Sequence, residues 1–339
     1  MPSFTRRSAF GLALSAFSAL ASIGPAAAAD LKTVNIALDW TPNTNHVGLF
    51  VAEQKGYFRD AGLDVKILPY TDTAAGTLVS NHIADFGIAG IGFYSQRAAG
   101  ADLKAVYAVV QKETGRLIVD AKRTDIQSPK NLDGLTYGGF GSAWENALIT
   151  DIIKHDGGKG DFKTVTLGTS AYEALANGSV DFTLEVATWE GVEAELRGAK
   201  LKEFKYSDYG VPDEYTTFIV SSDGYLKANG DTAKAFLAAV QKGYAFAADH
   251  PDEAGDILIA ANPDTLTNHA LVTQSMKVLG SGHYLRSADG VIGNMDRAKI
   301  DAFGQYLVKA KILVDGDGKV LTSAPDFSTF VTNDYLPKK

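Results

Sequence analysis

The sequence contains no cysteine in its 339 residues. This absence excludes disulfide bonds, thiolate metal sites and a cysteine nucleophile, so the fold relies on its hydrophobic core for stability. The six histidines do not show the spacing of metal ligands. We therefore predict neither a metal site nor a cofactor.

Positive charge is also scarce. Lys and Arg total 32 against 40 Asp and Glu, which gives a formal net charge of -8 at pH 7. Nucleic-acid-binding proteins instead concentrate basic residues on one face. We expect a small-molecule ligand and no nucleic-acid partner.

Long hydrophobic runs are missing after the first thirty residues, and no later segment is long enough to predict a membrane span. Residues 1–29 combine a basic start, an apolar run and small residues before Asp30, which is typical of a signal peptide. Arg6 and Arg7 resemble a twin-arginine export signal, with the general secretory route as the alternative. We expect cleavage near Ala29 and a soluble periplasmic protein with a net charge of about -10.

Strand-like runs and helical patterns alternate along the chain in two similar series. The first contains "VNIAL", "LDVKILPY", "ADFGIAG" and "KAVYAVV", and the second contains "LTYGGFG", "KTVTLG" and "VDFTLEV". Such alternation with short connections predicts parallel sheets with helices on both faces. The predicted fold class is therefore α/β, with two lobes.

Two extended apolar segments, "GRLIVDAKRT" and "YTTFIVSSDG", are predicted to carry the chain between the lobes as a two-crossover hinge. Amphipathic helices follow from Asp231 and are expected to return to the first lobe. The predicted boundaries are a signal peptide at 1–29, lobe 1 at 30–117 and 220–339, and lobe 2 at 118–219.

Four loops follow predicted strands and share glycines, aromatic rings and polar side chains. In open α/β sheets, ligands bind beyond the carboxyl ends of the strands. Aromatic faces stack on planar rings, and carboxylates accept hydrogen bonds from exocyclic amines. The loops therefore predict a site for a small, planar, nitrogen-rich molecule; they are "LDWTPNTNH", "GIAGIGFYS", "GGFGSAWEN" and "EVATWEG".

Four stretches of the chain resemble the solute-binding proteins of ABC importers, and among them the binders of thiamine pyrimidine precursors. They are "LDWTPNTNHVGLFVAEQKGYF", "ADFGIAG", "VDFTLEVATWEG" and "AFLAAVQKGYAFAADHPDEA". The same superfamily contains thiamine pyrimidine synthases and binders of sulfonate and nitrate. The resemblance implies a type II periplasmic binding protein fold, a monomer that closes over its ligand, and an ABC transporter permease as partner. It also implies an aminopyrimidine ligand, either free or formylated 4-amino-5-aminomethyl-2-methylpyrimidine.

In that setting Trp40 and Trp189 would stack on the ring, and Asp39 and Glu190 would bind its amino group. Asn45 and His46 would shape the site from the first lobe, and Gly141 and Ser142 from the second. The complete set of predicted ligand-binding residues is Asp39, Trp40, Asn45, His46, Phe93, Tyr94, Gly141, Ser142, Glu185, Trp189 and Glu190.

Several of these residues also have a structural interpretation. His46 could cap the helix that follows it. Trp189 could cover the core, and Glu190 could favour the positive end of a helix. Trp144 has helical spacing with Leu148 and Ile152, which indicates packing rather than ligand contact.

Two other functions compete with this prediction. The synthases would need a cysteine motif, a lysine and a histidine, but the chain has no cysteine and carries Ala89 and Phe93 where the latter two are expected. We therefore predict that it is not an enzyme. A binder of sulfonate, nitrate or another organic anion would need Arg or a nest of free N–H groups in the cleft, and the cleft loops have only Arg97 at their margin.

Overall fold

The computed structural model describes residues 1–3, 31–142, 144–287 and 289–338. The predicted signal peptide, with Arg6, Arg7 and Ala29, lies outside these ranges apart from its first three residues. Within the described part of the chain, no helix has both the length and the hydrophobicity needed to cross a bilayer.

The described residues form ten strands and twelve α-helices, and the strands are interspersed with helices up to β10. The strands are β1 Lys32–Ala37, β2 Leu63–Leu68, β3 Phe86–Ala89, β4 Lys104–Val110, β5 Gly115–Asp120, β6 Thr136–Gly139, β7 Lys163–Thr166, β8 Phe182–Val186, β9 Leu201–Lys205 and β10 Thr217–Ser221. The helices are α1 Val47–Gln54, α2 Tyr57–Asp60, α3 Ala75–Ser80, α4 Gly92–Ala98, α5 Glu145–His155, α6 Ala171–Ala176, α7 Val192–Leu196, α8 Asp223–Ala228, α9 Gly230–Asp249, α10 Pro251–Ala261, α11 His269–Ser281 and α12 Arg297–Lys309.

The strands form two five-stranded sheets of matching design. The first has the order β2-β1-β3-β10-β4, and the second has the order β7-β6-β8-β5-β9. In each sheet the second strand of this order pairs in parallel on both sides, as β1 does with β2 and β3, and β6 with β7 and β8. The two series of strands recognised in the sequence therefore correspond to two separate sheets.

Each sheet also contains an antiparallel strand, so the prediction of purely parallel sheets is wrong for β10 and β5. β10 pairs antiparallel with β3 and β4, and β5 does so with β8 and β9. Only four residues separate β4 from β5. Because a link this short cannot carry the chain to the far end of the next sheet, β5 enters from the carboxyl-end side and runs against its neighbours.

Helix α9, from the C-terminal part of the chain, packs against the first sheet and against α1. Phe236, Val240 and Tyr244 of α9 are buried in the same apolar cluster as Val34 and Ile36 of β1. The two helices approach closely where Gly48 faces the Tyr244 ring, since a Cβ on Gly48 would lie 2.3 Å from that ring. Only glycine fits at this crossing.

Candidate functional site

A cavity of about 350 Å³ lies where the loops beyond the carboxyl ends of both sheets meet. This volume suits a small molecule. The structure brings eight of the eleven predicted residues into its lining, which are Asp39, Trp40, Asn45, Phe93, Ser142, Glu185, Trp189 and Glu190.

The loop between β1 and α1 owes its shape to hydrogen bonds made by its own polar side chains. Asn43 caps a 3-10 turn at Thr44–His46, because its Oδ1 accepts from the Asn45 N–H at 2.9 Å. The His46 ring accepts from the Asn43 N–H through Nδ1 at 3.3 Å. The asparagines and the histidine therefore fix the entry into α1.

His46 is fully buried and reaches the cavity only through Asp39. Since Nδ1 accepts a hydrogen bond, Nε2 carries the proton and donates to Asp39 Oδ1 at 2.9 Å. The Asp39 side chain remains 34% exposed and lines the cavity. Among the described residues His46 thus orients a lining carboxylate and does not itself line the cavity.

Tyr94 and Gly141 are likewise not among the described residues that line the cavity. Neighbouring residues on a helix point in different directions, so Phe93 faces the cavity while Tyr94 packs between Phe303 and Phe330. Gly141 has φ +89°, a conformation that favours glycine, and it turns the loop towards Ser142.

Aromatic rings from both sheets meet across the cavity. Trp40 lies 5.5 Å from Tyr70, between ring centroids, and 6.1 Å from Phe140 of the second sheet. Phe140 in turn contacts Tyr172 at 5.7 Å. Trp144 packs on the core, as its spacing predicted, and also lines the cavity. The lining therefore contains aromatic rings from the loops of both sheets.

The glycine-rich loop before α5 is held by Glu145, which is buried at the start of that helix. Its carboxylate accepts from the Tyr137 hydroxyl at 2.8 Å and from the N–H groups of Phe140 and Ser142 at 2.9 and 2.7 Å. These bonds set the position of the Phe140 ring. Glu145 therefore organises the site without lining it.

Two glutamates at the end of β8 face the cavity. Glu185 is only 1% exposed, and neither carboxylate oxygen has a hydrogen-bond partner within the described part of the chain. Burial raises its pKa to about 7, against a smaller lowering by Arg116. Burial also raises the pKa of Glu190 to about 7, although its Oε2 accepts from the Val186 N–H at 3.3 Å.

Two more glutamates line the cavity from the segments that join the sheets, and sequence reasoning missed both. Burial raises the pKa of Glu113 to about 7 and that of Glu214 well above its usual value. Glu214 is 3% exposed, and its Oε2 lacks a partner within the described residues. The signal that could have revealed them is their matching position, shortly before β5 and shortly before β10.

No Lys or Arg belongs to the described lining, whereas five carboxylates do: Asp39, Glu113, Glu185, Glu190 and Glu214. Arg97, near one of the loops, pairs instead with Asp223 at 2.8 Å. The unpartnered buried side-chain atoms in the lining are all acceptors, namely oxygens of Asn45, Glu185 and Glu214. The site is therefore complementary to a ligand that offers hydrogen-bond donors.

Comparison with known proteins finds a matching family and relatives that include a binding protein and a synthase. The profile of a family described as "NMT1/THI5 like" matches residues 43–254. A formylaminopyrimidine-binding protein of Halalkalibacterium halodurans is 30% identical over 68% of this chain and 70% of its own length. The 4-amino-5-hydroxymethyl-2-methylpyrimidine phosphate synthase THI13 of Saccharomyces cerevisiae is 26% identical over 89% of this chain and 87% of its own length.

Among solved structures, the alkanesulfonate-binding protein SsuA of Xanthomonas axonopodis pv. citri superposes with a TM-score of 0.66. The match covers 90% of this chain and 99% of that chain. Because the sequence identity is only 18%, the match shows the fold alone. The predicted periplasmic binding protein fold is confirmed.

Proposed function

Since the chain belongs to the NMT1/THI5-like family, we propose that it is the solute-binding component of an ABC importer that captures an aminopyrimidine precursor of thiamine. In this proposal the protein is exported by a cleaved signal peptide and delivers its ligand to a membrane permease as a monomer. A relative named for formylaminopyrimidine binding supports this ligand class.

The observation that carries the proposal is a cavity with aromatic walls and carboxylates but no basic side chain among its described lining. Trp40 and Trp189 would stack on the pyrimidine ring, which is typically worth about 1 to 3 kcal/mol per base. Asp39, oriented by His46, and Glu190 would accept hydrogen bonds from the amino group. Asn45 would contact the ligand from the first lobe and Ser142 from the second.

We further propose that the sheets are the cores of the predicted lobes, which close over the ligand about the segments preceding β5 and β10. Thr114 Oγ1 donates to Thr216 Oγ1 at 3.0 Å, and Thr216 Oγ1 donates to the Lys112 carbonyl at 2.8 Å. These bonds tie the two segments together, so they would bend as one hinge. Closure would exclude water and strengthen the polar contacts with the ligand.

A synthase activity, suggested by the name of the yeast relative, finds less support. The chain has no cysteine, and Ala89 and Phe93 line the cavity where a lysine and a histidine were expected. A sulfonate ligand, suggested by the structural neighbour, conflicts with the five carboxylates, because like charges repel in a buried site.

A thermal-shift panel of aminopyrimidines, thiamine, taurine and nitrate tests the proposal. A ligand at 100 times its dissociation constant should add about 2.7 kcal/mol to the unfolding free energy. A clear shift with taurine and none with any aminopyrimidine would overturn the ligand class. Formation of a pyrimidine phosphate by the purified protein with pyridoxal phosphate and iron would overturn the binding role.

A further inference from the structure

The carboxyl group of Glu185 is buried in the site, and neither of its oxygens has a partner in the described chain. It is 1% exposed, it lines the cavity, and both of its oxygens are unpartnered. A buried ionised carboxylate without a partner is costly, so such groups are normally paired. Glu185 is therefore an acceptor whose hydrogen-bond donor would come from a bound ligand.

The basic residue nearest in the sheet is already engaged elsewhere. Arg116 lies opposite Glu185 in the pairing of β5 with β8, but its guanidinium forms an ion pair with Glu203 on the other neighbouring strand. Gly191 leaves space beside the Glu185 carboxyl, since a Cβ there would lie 3.2 Å from Oε1. No Lys or Arg in the described lining competes for this carboxylate.

The other unpartnered atoms of the lining point to the same chemistry. Asn45 Oδ1 and Glu214 Oε2 are buried acceptors without partners in the described residues, and they approach from the first loop and from the second crossover segment. A neutral ring with one amino group offers two N–H donors, whereas an ammonium adds three more and a positive charge. A cation also interacts favourably with the faces of Trp40 and Trp189.

Resting on the proposed function, we infer that the ligand carries a primary ammonium group outside its aromatic ring and that Glu185 pairs with this group. The protein then selects the free aminomethylpyrimidine over its N-formyl derivative. Formylation removes the positive charge, leaves a single N–H donor and adds a carbonyl acceptor, which the carboxylate would repel.

The matched pair of ligands for the test is 4-amino-5-aminomethyl-2-methylpyrimidine and its N-formyl derivative, titrated calorimetrically into the mature protein at about pH 7.5, above the pKa of Glu185. The amine is expected to bind at least about tenfold more tightly. Glu185→Gln keeps the shape of the side chain and should reduce this preference to within about threefold. Glu173→Gln removes the same charge at an exposed position and should leave the preference unchanged.

Equal or tighter binding of the formyl compound by the wild-type protein would overturn the inference and leave the proposed function intact. If neither pyrimidine binds, the proposed function fails, and benzylamine against benzyl alcohol tests the charge preference alone. Selective binding of benzylamine that depends on Glu185 supports the ammonium site, and the absence of any difference between the two overturns it.

Discussion

At the scale of single residues, the position of Trp40 at the end of β1 decides its role. The indole contacts Tyr70 on its own side and Phe140 across the cavity, so it belongs to both walls. Its polar neighbours in the sequence already indicated a site, because binding residues often lie on loops that a rigid scaffold positions.

Trp40→Ala should weaken aminopyrimidine binding by about 1 to 3 kcal/mol, because the stacking face is lost. Calorimetric titration measures this change, and circular dichroism should show an unchanged fold. Trp40→Phe retains an aromatic face and should recover most of the affinity. Unfolding of Trp40→Ala would instead assign the indole to the core.

The buried glutamates should make the ligand-free protein less stable as pH rises. Burial raises the pKa of Glu185 from 4.5 to about 7, so the folded state keeps a proton that the unfolded chain releases. The resulting stabilisation is complete below about pH 4.5 and is lost as pH increases through about 7. Glu113 and Glu190 act in the same direction.

Urea unfolding of the ligand-free protein at pH 5 and pH 8 measures this effect. Glu185→Gln should remove a part of the pH dependence of the order of 1 to 3 kcal/mol. The exposed Glu173→Gln variant should follow the wild-type curve. Parallel curves for wild type and Glu185→Gln would show that this carboxyl titrates normally.

At the scale of elements, the first turn of α5 controls the loop that carries Phe140. Its Glu145 carboxylate accepts three hydrogen bonds, one from a buried tyrosine and two from the loop backbone. The spacing in "GGFGSAWEN" indicated a turn and a helix start, but it did not show that this glutamate faces inward.

Glu145→Ala should lower the unfolding free energy by about 2 to 3 kcal/mol, because buried donors lose their acceptor. It should also weaken ligand binding, since the Phe140 ring loses its support. Denaturant unfolding and titration measure the two effects. Glu173→Ala, at an exposed position in the first turn of α6, is the matched control and should cost well under 1 kcal/mol.

At the scale of the whole molecule, α11 contacts the loops that follow one strand of each sheet. Ser275 of α11 donates to the Thr188 carbonyl in the π-helical turn Ala187–Gly191 and shares a hydrogen bond with Thr44 in the first loop. All three residues are buried. This cluster joins the loop after β1 to the loop after β8, so it would stabilise the closed state in the proposed closure of the lobes.

Ser275→Ala should shift the ligand-free protein towards a more open state, because the Thr188 carbonyl loses its donor. Small-angle scattering should show a larger radius of gyration for the variant, and ligand should reduce the difference. Ser281→Ala, an exposed change on the same helix, should scatter like the wild type. Identical curves for Ser275→Ala and wild type would show that this contact does not control closure.

The sequence by itself determined the α/β class, the two strand series and four loops of the site, because alternating apolar runs and glycine-aromatic loops are local signals. The mature chain's dependence on a core without disulfides follows from composition alone. Trp40 and Glu190 were also accessible to this reasoning, since each immediately follows or lies near the end of a strand-like run.

Only the tertiary structure decided the direction of β5 and β10, the burial of His46 behind Asp39 and the placement of Tyr94 in the core. It also brought Glu113 and Glu214 to the cavity, although 101 positions separate them in the chain. Pairing of distant strands and the facing of side chains depend on contacts between segments far apart in sequence. Such contacts leave no local pattern that a single sequence can show.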